Sequence, residues 1–150
     1  MHWEPLRSEI VCRCRIFSVR RDNSRSVTTG QEHDFFVIET ADWVNVVPLT
    51  PDREVVMVRQ FRHGIRALTL EVPAGIIDPT DASPVVAAAR ELREETGYAA
   101  DRLEPLGVVH PNPAIMNNQC HIFVAHDVTR VGAPQWDGTE ELEVMTVPLV

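Results

Sequence analysis

Residues 90–98 read Arg-Glu-Leu-Arg-Glu-Glu-Thr-Gly-Tyr, and three of them are carboxylates that a helix would bring onto one arc. Glu91 and Glu95 are four apart and share a helical face, with Glu94 beside them. Arg90 precedes Glu94 by four positions, the spacing of an ion pair. Leu92 and Ala88 mark the adjoining apolar stripe, so the acids sit at the edge of a core, where their geometry can be fixed. Three like charges on one arc repel unless a cation or an arginine offsets them. Hard divalent cations such as Mg2+ take carboxylates, carbonyl oxygens and water, often together with substrate phosphates. Gly75, just past a short apolar segment, places a loop and a backbone carbonyl ahead of the helix as a further oxygen donor. The competing reading is a solvated charged helix, the common fate of such runs.

The elements that must hold this arc follow from periodicity and punctuation. Ser83 suits an N-cap and Pro84 the first helical position; Val85, Ala88, Ala89 and Leu92 recur at helical spacing, and Gly97 is a stop. The spacing predicts a helix over 84–96. Residues 9–20 alternate around Ile10, Cys12, Cys14 and Ile16 and read as a strand; Asp22-Asn23-Ser24 reads as a turn, and Gly30 closes the connection. Further strands are expected over 33–40, 43–49, 54–61, 68–72, 103–109, 119–127 and 142–147, with loops over 110–118 and 130–139. Phe36 is expected in the core, since Phe in a strand pattern is commonly buried. With no repeat, low-complexity segment or linker, residues 1–150 read as a single domain. Many strands and one firm helix predict a mixed sheet in an α/β or α+β fold.

Composition excludes several classes of partner. The net charge is −8, which opposes a nucleic-acid surface or an anionic membrane surface. All 14 basic residues are arginine, so any anion held through a cationic side chain is held by a guanidinium fork. No apolar run is long enough to span a bilayer, and no secretion signal is visible, so a cytoplasmic protein is expected. Cys12, Cys14 and Cys120 show no zinc-type spacing and read as free thiols in a reducing compartment. Cys12 and Cys14 are two apart, so on a strand they share a face.

The charged run resembles the Nudix family. Its box has the pattern Gly-x5-Glu-x7-Arg-Glu-aliphatic-x-Glu-Glu-x-Gly-aliphatic. Here Gly75 opens it, and Arg90, Glu91, Leu92, Glu94, Glu95 and Gly97 close it, with Tyr98 in the last apolar slot. Val58-Arg59-Gln60-Phe61-Arg62, Glu71-Val72-Pro73-Ala74-Gly75 and Pro113 further resemble the ADP-ribose pyrophosphatase and nucleoside-diphosphate-sugar hydrolase subgroup. The resemblance covers about residues 9–148. Gly75 to Arg90 spans one position more than the pattern, so the early glutamate slot falls to Asp81, with an extra loop residue, or to Ala82. A changed loop is expected from this, not a lost activity.

That resemblance implies a Nudix-like α/β/α sandwich, which in the family usually ends in a further helix; this sequence stops at Pro148-Leu149-Val150, so either that helix is replaced by something else or this sequence is shorter than the natural protein. It implies Mg2+-dependent, or Mn2+-dependent, hydrolysis of a small nucleoside diphosphate linked to a sugar. By resemblance the metal ligands are Glu91, Glu94, Glu95 and the carbonyl of Ala74. Arg90 and Glu94 join the catalytic set, with a loop glutamate, Glu140 in preference to Glu141, as general base. Arg59, Arg62, Glu71 and Pro113 are expected at the substrate, Arg62 near a phosphate. The 110–118 loop is expected to present free asparagine amides to sugar or base. A homodimer is expected, with strands over about 9–40 at its interface. The alternatives are a nucleotide-sensing Nudix domain without turnover and a Nudix hydrolase of nucleoside triphosphates.

Overall fold

Charged and polar residues occupy both faces of the first three strands, and the computed structural model, which describes residues 2–136, 138 and 141–149, pairs them into an open sheet. Strands β1 (Trp3–Arg13), β2 (Phe17–Ser26) and β3 (Glu32–Thr40) run antiparallel in the order β1-β2-β3. Cross-strand arginine–carboxylate pairs stitch it: Arg21 to Glu9, Arg20 to Glu39, and Arg25 to Glu32 at 2.7 Å. The hairpin between β1 and β2 turns at residues 14–16. Asp22-Asn23-Ser24 therefore lies in mid-strand rather than in the expected turn, because its side chains bond across the sheet, Asp22 to Ser8 and Asn23 to Asp34. Gly30 does close the next connection, at a φ of 72°. Phe36 is 55% exposed and not in the core, since most of the residues in these strands stay partly open to solvent. These strands belong to one of two compact units, Met1–Asp42 with Val109–Gln119; the other is Trp43–Val108 with Cys120–Val150.

The second unit begins with β4 (Trp43–Pro48), whose alternation buries Val44, Val46 and Pro48. Strand β5 (Glu54–Arg62) pairs antiparallel with β6 (Ala67–Glu71), and the short β7 (Ala74–Ile76) pairs antiparallel with β4. Helix α1 (Pro84–Thr96) starts at Pro84 as expected. Ser83 precedes it as N-cap without a side-chain capping bond; its carbonyl accepts from Val86 and Ala87 instead. Then come β8 (Tyr98–Ala99), β9 (Arg102–Val109), β10 (Cys120–His126), β11 (Thr129–Arg130) and β12 (Leu142–Pro148). β10 runs parallel to β4 while β7 runs antiparallel to it, so the sheet β7-β4-β10-β9 is mixed. A second sheet has the order β12-β5-β6 and is antiparallel. Among the described residues α1 is the one helix.

The core of this unit packs Ala87, Ala88 and Leu92 of α1 on Val44, Val46, Val56, Phe123, Ala125 and Val128. Val85 and Ala89, expected in the apolar stripe, are exposed; the buried stripe runs Ala88, Leu92, Glu95. One carboxylate of the charged run is thus drawn into the core-facing side of its own helix.

Candidate active site

Helix α1 sets the carboxylates out in graded exposure. The Glu95 residue is 4% exposed, the Glu91 side chain 12% and the Glu94 side chain 42%. A buried carboxylate needs hydrogen bonds, and Glu95 Oε2 accepts the backbone N–H of Ala74 at 3.0 Å. That bond ties β7 to the helix at the residue whose carbonyl is the expected fourth oxygen donor. Next to it, Gly75 allows a close approach: a Cβ placed there would lie 2.0 Å from the Glu91 carboxyl carbon. Glycine opens the sequence motif because a side chain at this point would occupy the space of the Glu91 carboxylate.

Arg90 organises the remaining acids. Its Nη1 donates to Glu91 at 2.8 Å and to Glu94 at 3.0 Å, and its Nη2 donates to the Ile76 carbonyl at 3.0 Å. Asp81 closes the fork, accepting from Nε at 3.2 Å and from Nη2 at 2.8 Å, with its own side chain 5% exposed. These bonds, Asp81's first, push the Arg90 guanidinium further above its ordinary range and hold it charged. The Asp81 carboxyl is pulled below the usual carboxylate range, chiefly by Arg90. Of the two candidates for the early acidic slot, Asp81 fills it and Ala82 does not. Gly75 to Asp81 keeps the pattern's spacing, so the extra residue lies between Asp81 and Arg90. Asp81 itself closes a tight turn, in which Asp78 N–H donates to Asp81 and Thr80 N–H donates to Asp78, each at 2.9 Å.

The helix ends where the next loop caps it. Gly97 takes a φ of 74° and donates its N–H to the Arg93 carbonyl. The helix's later carbonyls are met by residues 131–136: Gly97 O accepts from Val131 at 2.9 Å, Glu94 O from Gln135 at 2.8 Å, and Glu95 O from the Trp136 indole Nε1–H at 2.9 Å. The residues just ahead of the expected base are therefore fastened to the carboxylate helix. Glu140 itself lies outside the described residues. Glu141 lines an open cleft of about 330 Å³ with Arg59, Leu68, Trp136, Leu142 and Glu143. The sequence does not show the anchoring role of Trp136; the signal it carries is a lone aromatic ring in a loop of glycine, proline and small or polar residues.

Arg62 and Glu71 meet as a bidentate pair at 2.8 and 2.6 Å, which holds the Glu71 carboxyl below its usual range. The field of Glu95 also favours the Arg62 cation, so this arginine lies within electrostatic reach of the helix acids. Arg59 points to the other face of β5 and pairs with Glu143, its cross-strand partner on β12. Pro113 is exposed in the other compact unit. Two of the loop amides are engaged within this unit: Asn117 Oδ1 accepts the Thr40 N–H at 3.4 Å, and Asn118 Nδ2 donates to the Ala41 carbonyl at 3.1 Å, while Asn118 Oδ1 is buried without a hydrogen-bond partner among the described residues. These bonds tie the loop to residues 40–41 at the end of β3.

The donors around α1 suit a hard cation. They are all oxygens, and Asp81, Glu91, Glu94 and Glu95 against the single charge of Arg90 leave an excess of three negative charges by formal count. Among the described residues no three acidic, histidine or cysteine side chains converge at metal-holding distance. Arg90 draws Glu91 and Glu94 to itself, while the Ala74 N–H takes Glu95.

A NUDIX domain model matches residues 40–150. The chain belongs to the Nudix family. This Nudix chain is 33% identical over 107 residues to an ADP-ribose pyrophosphatase of Bacillus subtilis, covering 71% of the chain and 57% of that protein. It is 30% identical over 137 residues to an ADP-ribose pyrophosphatase of Mycobacterium tuberculosis, covering 89% of the chain and 64% of that protein. The chain thus spans less than two thirds of either relative. A crystal structure of an ADP compounds hydrolase superposes with a TM-score of 0.85 at 27% identity, covering 99% of this Nudix chain and 79% of the other.

Proposed function

We propose that this chain hydrolyses the pyrophosphate bond of a nucleoside diphosphate linked to a sugar, of the ADP-ribose type, releasing a nucleoside monophosphate and a sugar phosphate. The observation that carries the reading is the Gly75–Glu91 approach beside the Glu95–Ala74 bond, which sets oxygen donors at one corner of α1. The names of the two pyrophosphatase relatives and of the structural neighbour support the substrate class. Residues 1–150 acting as one hydrolase domain, in a cytoplasmic homodimer, are part of the same proposal. Among the described residues no helix is long and apolar enough to cross a membrane.

Glu91, Glu94, Glu95 and the Ala74 carbonyl would hold Mg2+ or Mn2+. A bound divalent ion supplies charge neutralisation on the diphosphate and a more acidic water. Arg90 keeps Glu91 and Glu94 oriented, and Asp81 keeps Arg90 in place. Arg62 offers a guanidinium to a phosphate oxygen, with Glu71 holding its fork until substrate arrives. Glu140 is the proposed base that takes the proton of the attacking water, with Glu141 the alternative.

The test is a substrate panel with chromatographic product identification: ADP-ribose, other nucleotide sugars, dinucleoside polyphosphates and nucleoside triphosphates. Release of AMP and ribose 5-phosphate from ADP-ribose is expected. Turnover confined to triphosphates, or binding without turnover of any member, contradicts the proposal. A pH–rate profile of Glu140→Gln that copies the wild type removes Glu140 from the mechanism.

A further inference from the structure

Cys12 and Cys14 belong to none of the machinery above. Cys12 stands near the end of β1, just after a register slip between Ile10 and Cys12. Cys14 begins the turn into β2, where its N–H donates to the Phe17 carbonyl at 2.8 Å. Both are exposed, and their Sγ atoms lie 3.9 Å apart. Cys120, by contrast, is 1% exposed. Residues two apart on a regular strand have Cα atoms about 6.4–6.8 Å apart, at the upper end of what a disulfide spans. Here Arg13, between them, is the last residue of β1, so the pair stands near that strand spacing, and the chain turns from Cys14 on. An S–S bond is about 2.05 Å long, so closure needs about 1.9 Å of approach, which side-chain rotation and the exposed turn can supply.

We propose that Cys12 and Cys14 form a dithiol modification site that exchanges with small disulfide oxidants and closes to an intramolecular disulfide. The Cys12 thiolate attacks one sulfur of a low-molecular-weight disulfide such as glutathione disulfide. A mixed disulfide forms and one oxidant thiolate leaves. Cys14 then attacks the Cys12 sulfur, the Cys12–Cys14 bond forms, and the second oxidant thiolate leaves. The two protons given up by the cysteines go to the two released thiolates, so two protein thiols are oxidised and one external disulfide is reduced. The S–H···S contact with Cys12 pushes the Cys14 thiol above its usual range, which suits it to act second. Exposed Arg13 and Arg15 on either side of Cys14 favour the approach of an anionic disulfide. A small, exposed disulfide ring is of the labile kind, so the change reverses with a dithiol reductant.

The full chain, incubated with glutathione disulfide and quenched by alkylation, tests this by intact mass and tryptic mapping. Trypsin cuts after Arg7, Arg13 and Arg15, so the new bond would join peptide 8–13 to peptide 14–15. The expected result is loss of two hydrogens, that linked pair, and Cys120 still alkylated. In Cys14→Ser the reaction stops at the Cys12 adduct, which accumulates roughly tenfold or more over wild type. A stable adduct in wild type to the same extent as in Cys14→Ser, a bond mapping to Cys120, a disulfide between two chains, or no reaction at all would each overturn the proposal.

Discussion

A Cβ on Gly75 would stand 2.0 Å from the carboxyl carbon of Glu91 and 2.1 Å from its Oε1. The obstructed group is the far end of a flexible side chain, not backbone, so Gly75→Ala can be accommodated by swinging Glu91 away. The fold should survive while the carboxylate leaves its place. Turnover is expected to fall roughly 100-fold or more with little change in Tm, since misplacing a group at a catalytic centre by about 1 Å is that expensive. Parallel melting curves and rates check it; a large Tm loss with proportionate activity would mean that Gly75 serves only the fold.

Asp81 makes a pH-dependent contribution whose sign is fixed. Its carboxyl is held below the usual range, first by Arg90's hydrogen bonds, so its stabilisation is present above the unfolded carboxyl's pKa of about 3.9. It is lost as pH falls through the lower folded value. Asp81→Asn should therefore melt below wild type at neutral pH, and the gap should close below about pH 4. Melts across that range test this; a gap of constant size would deny the charged pair its role.

Gly97 is constrained twice, by its φ of 74° and by the Gly132 carbonyl oxygen, which a Cβ would meet at 2.4 Å. Here the obstacle is backbone. The left-handed conformation alone costs a side-chain residue about 1–2 kcal/mol, or roughly 2–8 °C for a chain of this size. Gly97→Ala should lose at least that much Tm, as differential scanning calorimetry would read. An unchanged Tm would place the loop elsewhere.

Trp136 links the loop to the helix through its indole N–H and the Glu95 carbonyl. Trp136→Phe keeps a ring and removes the donor, at a net cost of about 1 kcal/mol. We expect kcat to fall roughly tenfold, with Tm changing by only about 2–4 °C. Steady-state kinetics on the refolded variant would show it; loss of stability without loss of kcat would make the bond purely structural.

Much of this was legible where the cause is local. Pro84 and Gly97 punctuate α1 through their own backbone preferences, and both ends fall where they stand. The Arg90–Glu94 pair follows from helical spacing alone. What depends on neighbours was not legible. The β1–β2 hairpin turns at Cys14-Arg15-Ile16, a stretch without Gly, Pro or Asn, while the turn-like Asp22-Asn23-Ser24 is held extended by partners on β1 and β3. Phe36 follows a core-like alternation on a sheet that leaves it more than half open, and layering of that kind is not written in period-two patterns. β7 has only three residues and no periodicity to read. At the site, the motif named the acids, but the Asp81 fork on Arg90 and the Trp136 anchor are tertiary facts.

The most direct test is Glu95→Gln. The amide oxygen can still accept the Ala74 N–H, so the fold should persist, but the negative charge is gone. AMP release from ADP-ribose should be followed across an Mg2+ titration for wild type and variant, beside their melting curves. The account predicts a folded variant whose turnover is down roughly 1,000-fold at every Mg2+ concentration. Near-wild-type turnover at saturating Mg2+ would contradict it.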